Sequence, residues 1–219
     1  MPTLSFDGRA AQYGTASSAS VSVDSDYFMA VNIVFENTAP KPSPGVPGTQ
    51  AVAMQIGGDM AAFYNCMFIG FQDTLFDHRG RHFFKDCFIQ GTVDFIFGGG
   101  KSLYLARKSK DEDGGFSFVH CNVTGSGKVL LGRAWMQSSL VVFSFTNMES
   151  IVEPRGWDDF GYQDRDTTIY FGEYNCKGPG AIRTERVPYA KALDSEQARR
   201  FIITSFINAE TWLLPPPKL

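Results

Sequence analysis

The chain has 219 residues, 43% of them hydrophobic and 20% charged, which suits one domain with a sizeable core and excludes a disordered chain. Its 20 basic and 23 acidic residues leave a net charge of −3, which argues against a nucleic-acid-binding surface. No apolar run reaches the roughly 18 residues of a membrane span, and the opening MPTLSFDGRAAQYGT has neither the basic flank nor the apolar core of a signal peptide.

Residues 15–38 read as strands broken by an Asp-Ser-Asp turn. Val21 and Val23 alternate with polar neighbours, as do Val31, Ile33 and Phe35. Residues 41–48, KPSPGVPG, are too rich in proline and glycine for a strand and form a loop that can overhang its neighbours. A short apolar strand follows, TQAVAMQIGGD, with Gln50 near its start.

From Ala62 to Gly98 the sequence repeats itself. A shift of 21 residues places Phe63 on Phe84, Cys66 on Cys87, Phe68 on Ile89, Gly70 on Gly91, Asp73 on Asp94 and Phe76 on Phe97. A weaker third copy of the first half holds Phe118, Cys121, Val123 and Gly125. A period this short, rich in aromatic and β-branched residues with glycine turns, predicts one coil of a parallel β-helix per copy. Neighbouring coils lie about 4.8 Å apart, so equivalent side chains stack in ladders. Asp73 and Asp94 are then expected one above the other. Two carboxylates at that separation do not both ionise cheaply, so one keeps its proton, and an acid stacked on a base is a candidate catalytic pair. The plain alternative is two turn carboxylates in solvent.

Beyond Gly98 the pattern weakens. Residues 107–115, RKSKDEDGG, read as a solvated charged loop, and GFSFVHCNVTG resumes the coil. Asn122-Val123-Thr124 is a glycosylation acceptor sequence, meaningful only in a secreted chain. VLLGRAW, LVVFSFTNM and the stretch ending TIYFGEYNC are strand-like. LDSEQARRFI predicts a short helix capped by Asp194, with Gln197 completing a capping box. The end, WLLPPPKL, is a proline-stiffened tail.

Three of the four cysteines, Cys66, Cys87 and Cys121, occupy the repeated position, where a cysteine is expected as a small buried hydrophobe; their spacing matches no zinc motif, and the disulfide state of these three and Cys176 stays open. His78 and His82 read as loop and coil-edge residues, and His120 as facing out.

Several motifs together carry a resemblance. QAVA at Gln50, FQDTLF around Asp73, GTVDFIFG around Asp94 and LGRAW around Arg133 stand in the order found in plant pectin methylesterases, with GTASSASV, AFYNC, GRHFFKDC, EPRGW, FGEYNCKGPGA and WLLP in support. The chain resembles that family over nearly its whole length. The resemblance implies an all-β fold, a right-handed parallel β-helix with a short C-terminal helix and tail, as one domain over 1–219. It implies a secreted cell-wall enzyme that removes methyl esters from the galacturonate units of pectin and releases methanol.

Carried onto this sequence, Asp94 is the expected nucleophile and Asp73 the general acid, later base. Gln72 and Gln50 are the expected donors to the oxyanion, Arg133 holds and polarises Asp94, Trp135 packs on the sugar and Thr15 is associated with substrate binding. The residue types suit the chemistry. A guanidinium favours an ionised nucleophile, the second carboxyl supplies a proton to departing methanol, and neutral amides stabilise a developing oxyanion without metal or cofactor. Phe71, Phe76 and Phe97 are candidate cleft walls or sugar platforms, with core packing as the alternative, and Trp157 is a further candidate for the cleft. The expected partners are methylated homogalacturonan and a proteinaceous pectinesterase inhibitor, with no nucleic acid and no membrane, and the expected state is a monomer.

Against the family pattern the chain is expected to start late, without the first coils and the N-terminal cap, and to lack about one coil after Gly98, where FGN reads FGG. Two readings compete with the esterase: an inactive, truncated pectin-binding relative, and another β-helix pectin enzyme, a lyase or galacturonase. The lyase requires a calcium-binding acidic cluster that is not evident in the sequence.

Overall fold

The computed structural model describes residues 1–43, 45–103 and 114–214. The chain forms two compact units, residues 1–100 with the segment from Thr211, and Lys101–Glu210.

The first unit is a stack of coils with three parallel strands per turn. One ladder holds Val21–Val23, Met54–Ile56, Leu75–Asp77 and Ile96–Gly98. The next holds Met29–Val31, Ala61–Tyr64 and Arg81–Lys85. The last holds Thr3–Phe6, Val34–Asn37, Met67–Ile69 and Phe88–Gln90. Leu75 pairs with Met54 and Ile96, and Phe63 with Phe84, which is the 21-residue period of the sequence. Val21 pairs with Met54 instead, 33 residues on, because the Pro/Gly loop inserts twelve residues into that coil without disturbing the ladder.

The repeated residues stack because the register is parallel. Phe63 and Phe84 lie ring on ring at 4.7 Å and 5°. With Phe35 and Phe68 they fill the interior beside the fully buried Met54, Ile56 and Leu75. Each coil bends at a left-handed residue, Asn32, Asn65 and Asp86, side chains that tolerate this conformation. Asn65 donates from Nδ2 to Asn32 Oδ1 at 2.7 Å, so the corner is itself a ladder.

The second unit repeats the design with uneven steps. Lys101–Ser102, Gly115–Val119, Leu140–Ser144, Tyr170–Tyr174 and Ala190–Ala192 form its main parallel ladder. Asn122–Val123 pairs with Asn147–Met148, and Gly132–Arg133 with Trp157–Asp158. Its corners are His120, Phe145 and Asn175, again left-handed. The predicted helix is Ser195–Arg199, and both arms of the capping box between Asp194 and Gln197 are present.

The cysteine pattern extends further than the sequence comparison indicates. Cys66, Cys87, Cys121 and Cys176 each follow a left-handed corner residue and donate a thiol hydrogen to the carbonyl two residues back, at 3.4–3.7 Å. Thr146 makes the same contact after Phe145 at 3.2 Å. The position is a small corner plug, and burial pushes the Cys121 thiol up to about 11, unsuited to a nucleophile.

Most of the charged loop, and the coil expected to be missing after Gly98, fall on residues 104–113, outside the described residues. The ladder beside them is informative. Lys101 pairs with Gly115, a step of fourteen residues against 21 in the coils before it. The end of the tail, 215–219, also lies outside the described residues. Among the described residues no helix is long and apolar enough to cross a membrane.

Candidate active site

The turns before the ladder of Leu75 and Ile96 carry the candidate carboxylates. Phe71–Thr74 and Thr92–Phe95 are the same turn on successive coils. Thr92 N donates to Phe71 O at 2.7 Å, Asp73 N to Val93 O at 3.1 Å and Leu75 N to Phe95 O at 2.9 Å. Asp73 and Asp94 both sit at positive φ, 64° and 48°, the conformation in which a short polar side chain is cheapest after glycine. The two turns thus lead in register into the paired strands Leu75–Asp77 and Ile96–Gly98. Their surroundings differ: Asp73 is 8% exposed, whereas Asp94 is only half-buried.

The turn below is Gln50–Ala53. Ala51 N donates to Gln72 O at 3.1 Å and Ala53 N to Thr74 O at 2.8 Å, so Gln50 and Gln72 lie on adjacent coils. The Thr49 hydroxyl approaches Gln72 Oε1 at 3.0 Å and restrains that amide. Thr15 opens a short 3-10 helix, Ala16–Ser18, that is fastened to the same turn: Val52 N donates to Ser18 Oγ at 3.1 Å.

Asn37 completes the fastening. It is 3% exposed, and its Nδ2 approaches the carbonyls of Gly8, Ser18 and Val52 at 3.0–3.1 Å while its Oδ1 accepts from Ala39 N. Sequence reasoning missed Asn37 because its role depends on three distant backbone segments meeting. Phe76 and Phe97 stack at 4.5 Å and 3°, both half-buried, on the ladder face opposite the buried Leu75 and Asp77.

Arg133 and Trp135 belong to the second unit. There the Arg133 guanidinium lies over the rings of Trp135 and Phe160, 5.2 and 5.0 Å from their centroids. Trp135 is 58% exposed. Phe160, at a left-handed turn, was not legible as a partner because nothing in its local sequence announces it.

Two expectations are corrected. Trp157 does not line a cleft: it is fully buried, stacked on Phe171 at 4.5 Å, and its Nε1 donates to Glu173 Oε1 at 3.2 Å. Phe171 lies on the next strand of the chain, and the two rings pack together in the interior. His82 is not an edge residue either. It is fully buried, with Nδ1 2.7 Å from Asp77 Oδ1 and Nε2 2.8 Å from Gly58 O. Burial disfavours its charged form most strongly, but the Asp77 carboxylate and the Gly58 carbonyl outweigh that and raise its pKa.

The pectinesterase family model matches residues 5–106 and 104–210. The chain belongs to the pectinesterase family. It is 50% identical to putative pectinesterase 63 of Arabidopsis thaliana, over 99% of this chain and 70% of that protein. It is 48% identical to probable pectinesterase 50 of the same plant and 46% identical to pectinesterase 2 of Olea europaea, spanning 64% of each. Among solved structures, the pectin methylesterase from carrot superposes with a TM-score of 0.86 at 28% identity, over 99% of this chain and 78% of that one. The pectin methylesterase from Aspergillus niger gives 0.76 at 26%, over 96% and 73%. The fold is the parallel β-helix of these pectinesterases.

The same comparisons locate a shortfall. The alignment with the first relative spans 235 positions, more than the 219 residues present, so that pectinesterase carries residues with no counterpart here. The family match breaks and restarts at 104–106, within the fourteen-residue ladder step.

Proposed function

We propose that the chain is a carboxylic ester hydrolase that removes methyl esters from pectin, specifically homogalacturonan, and releases methanol. The observation that carries this reading is the in-register stacking of two unequal aspartate turns, Asp73 and Asp94, beside Gln72. The more open Asp94 attacks the ester carbonyl carbon. The carbonyl π electrons move to oxygen, and the amides of Gln72 and Gln50 donate to the oxyanion. As the oxyanion collapses, the ester C–O bond breaks. The buried Asp73 gives its proton to the leaving methoxide, and methanol departs.

An acyl-enzyme anhydride on Asp94 remains. Asp73, now a base, takes a proton from water; the hydroxide adds to the acyl carbon and expels Asp94 as carboxylate. The products are a galacturonate carboxylic acid and the starting enzyme, with Asp73 again protonated. In this reading Arg133 favours the ionised nucleophile, Trp135 and the Phe76–Phe97 stack take the sugar faces, and Thr15 touches substrate. The family match through both units supports a single domain over 1–219. We further place the enzyme outside the cell at the wall, as a monomer and a target of a proteinaceous pectinesterase inhibitor.

The fourteen-residue step favours one second reading, a pectin-binding relative without activity. One experiment separates them: methanol release from methylated pectin by the chain and by Asp94→Asn. The esterase reading expects release by the parent and a loss of at least about 10³-fold in the variant. No release by a parent chain that melts cooperatively and binds pectin sinks it and leaves the second reading.

A further inference from the structure

The corner position that the cysteines fill brings two of them together. In the first unit the register pairs Tyr64–Lys85 and Met67–Phe88 bracket Cys66 and Cys87, and Phe88 N donates to Cys66 O at 2.9 Å. The two cysteines therefore face each other across one strand spacing, about 4.8 Å, which lies inside the Cα separation that a disulfide accepts. Their thiols have equivalent settings, 3.4 and 3.5 Å from the carbonyl two residues back, and Cys87 Sγ also reaches Phe63 O, on the coil of Cys66, at 3.6 Å. The Cys87 thiol, donating to the Cys66 sulfur, holds the Cys66 thiol down to about 7 against its burial, and the same contact pushes the Cys87 thiol up.

The other two cysteines do not meet. In the second unit Val119, Ser144 and Tyr174 are in register, as are Asn122, Asn147 and Lys177, so Thr146 stands between Cys121 and Cys176. Two strand spacings, roughly 9.6 Å, exceed the reach of a disulfide. On the far side of Cys66 the register places Ile33, whose carbonyl accepts from Met67 N at 2.9 Å, so Cys87 is the one thiol neighbour of Cys66 in the first unit. Access to the pair is unequal: Cys66 is 1% exposed and Cys87 only half-buried, so an outside oxidant reaches Cys87. Asp73 and Asp94 are the seventh residues after Cys66 and Cys87, so a bond between these sulfurs joins the two coils that carry the aspartate turns.

We propose that Cys66 and Cys87 form a disulfide that staples the coil of Asp73 to the coil of Asp94, while Cys121 and Cys176 stay as thiols. The oxidant is a small-molecule or protein disulfide. The Cys87 sulfur loses its proton and attacks one sulfur of that disulfide, which expels the first external thiol. The Cys66 thiolate then attacks Cys87 Sγ in the mixed disulfide, forms the Cys66–Cys87 bond and expels the second. Two protein thiols are oxidised, and one external disulfide is reduced to two thiols that carry the two protons. The compartment proposed above, outside the cell, maintains such a bond. No step depends on the esterase reading.

The full chain is equilibrated in glutathione buffers from reducing to oxidising, quenched with acid, alkylated and mapped by mass spectrometry. The expected result in the oxidising buffers is a Cys66–Cys87 bridge with Cys121 and Cys176 alkylated. The bridge closes a loop of one 21-residue period, so reduction should lower the melting temperature by roughly 6–12 °C. Hydrogen exchange at the amides of Asp73, Leu75 and Thr92, which bond from one coil to the next, should quicken on reduction. Cys87→Ser should melt at one temperature in all buffers, and Cys121→Ser should keep the shift; where a variant does not fold, the map of the parent decides. Four alkylated cysteines in a folded parent under oxidising conditions overturn the proposal, as does a bridge to any other cysteine. Equal melts and equal exchange in the bridged and reduced chain overturn the staple.

Discussion

The buried pair of His82 and Asp77 makes a prediction about stability that is independent of catalysis. Both side chains are fully buried, and both ring nitrogens of His82 face acceptors. With Asp77 ionised, only the imidazolium can donate to both, and the raised pKa of His82 agrees. The sign follows from linkage. A folded pKa above the unfolded value of about 6.5 gives stability that is fully present below that value and lost as pH rises through the folded pKa. The contribution of this pair to the melting temperature is therefore expected to be larger in mild acid than in mild alkali.

Replacing His82 with Leu leaves a carboxylate buried without its cation, a defect that costs about 3–5 kcal/mol. For a chain of this size about 2–4 °C accompanies each kcal/mol, so the melt is expected to fall by roughly 6–20 °C. The double variant Asp77→Leu/His82→Leu removes both charges and is expected to recover much of the loss, because the burial cost of the ions disappears with the pair. Its melt should also lose the pH dependence that the pair supplies. The assay is far-ultraviolet circular dichroism or calorimetry across pH. A His82→Leu melt within about 2 °C of the parent in mild acid, or a double variant no better than the single one, would refute the reasoning.

Two further outcomes are expected. Gln72→Leu removes one proposed oxyanion donor and should lower kcat by about 10²–10³ with little change in KM, measured by methanol release; a change confined to KM would make Gln72 a binding residue only. Glu173 is 4% exposed and accepts from Arg183, Arg186 and Trp157 in the second unit, so Glu173→Gln should cost about 3–5 kcal/mol in a denaturant titration and perturb the fluorescence of Trp157.

Much of this architecture could be read directly. The 21-residue period sets coil size, and a parallel stack requires equivalent residues to meet, so the Phe63–Phe84 and Phe76–Phe97 stacks and the superposed aspartate turns follow from spacing alone. The capping box of Asp194 and Gln197 is equally local. What could not be read depends on contacts distant in sequence. Asn37 looks like one more polar residue at the end of a strand until Gly8, Ser18 and Val52 converge on it. Trp157 reads as a cleft aromatic until the fold sets it on Phe171. His82 reads as an edge residue because alternation leaves open which corner turns inward, and only the fold brings Asp77 and Gly58 around it.

By itself the sequence determined the repeat, the strand-rich coils, the stacked aspartates and the family, because each is a matter of period or of contiguous motif. The tertiary structure decided which side chains are walled in and which face a cavity. That depends on where the inserted loop 41–49 folds back over the aspartate turns, and no period in the chain encodes it. The two aspartates are one repeated residue in the sequence. Folding makes them unequal, burying Asp73 more deeply than Asp94.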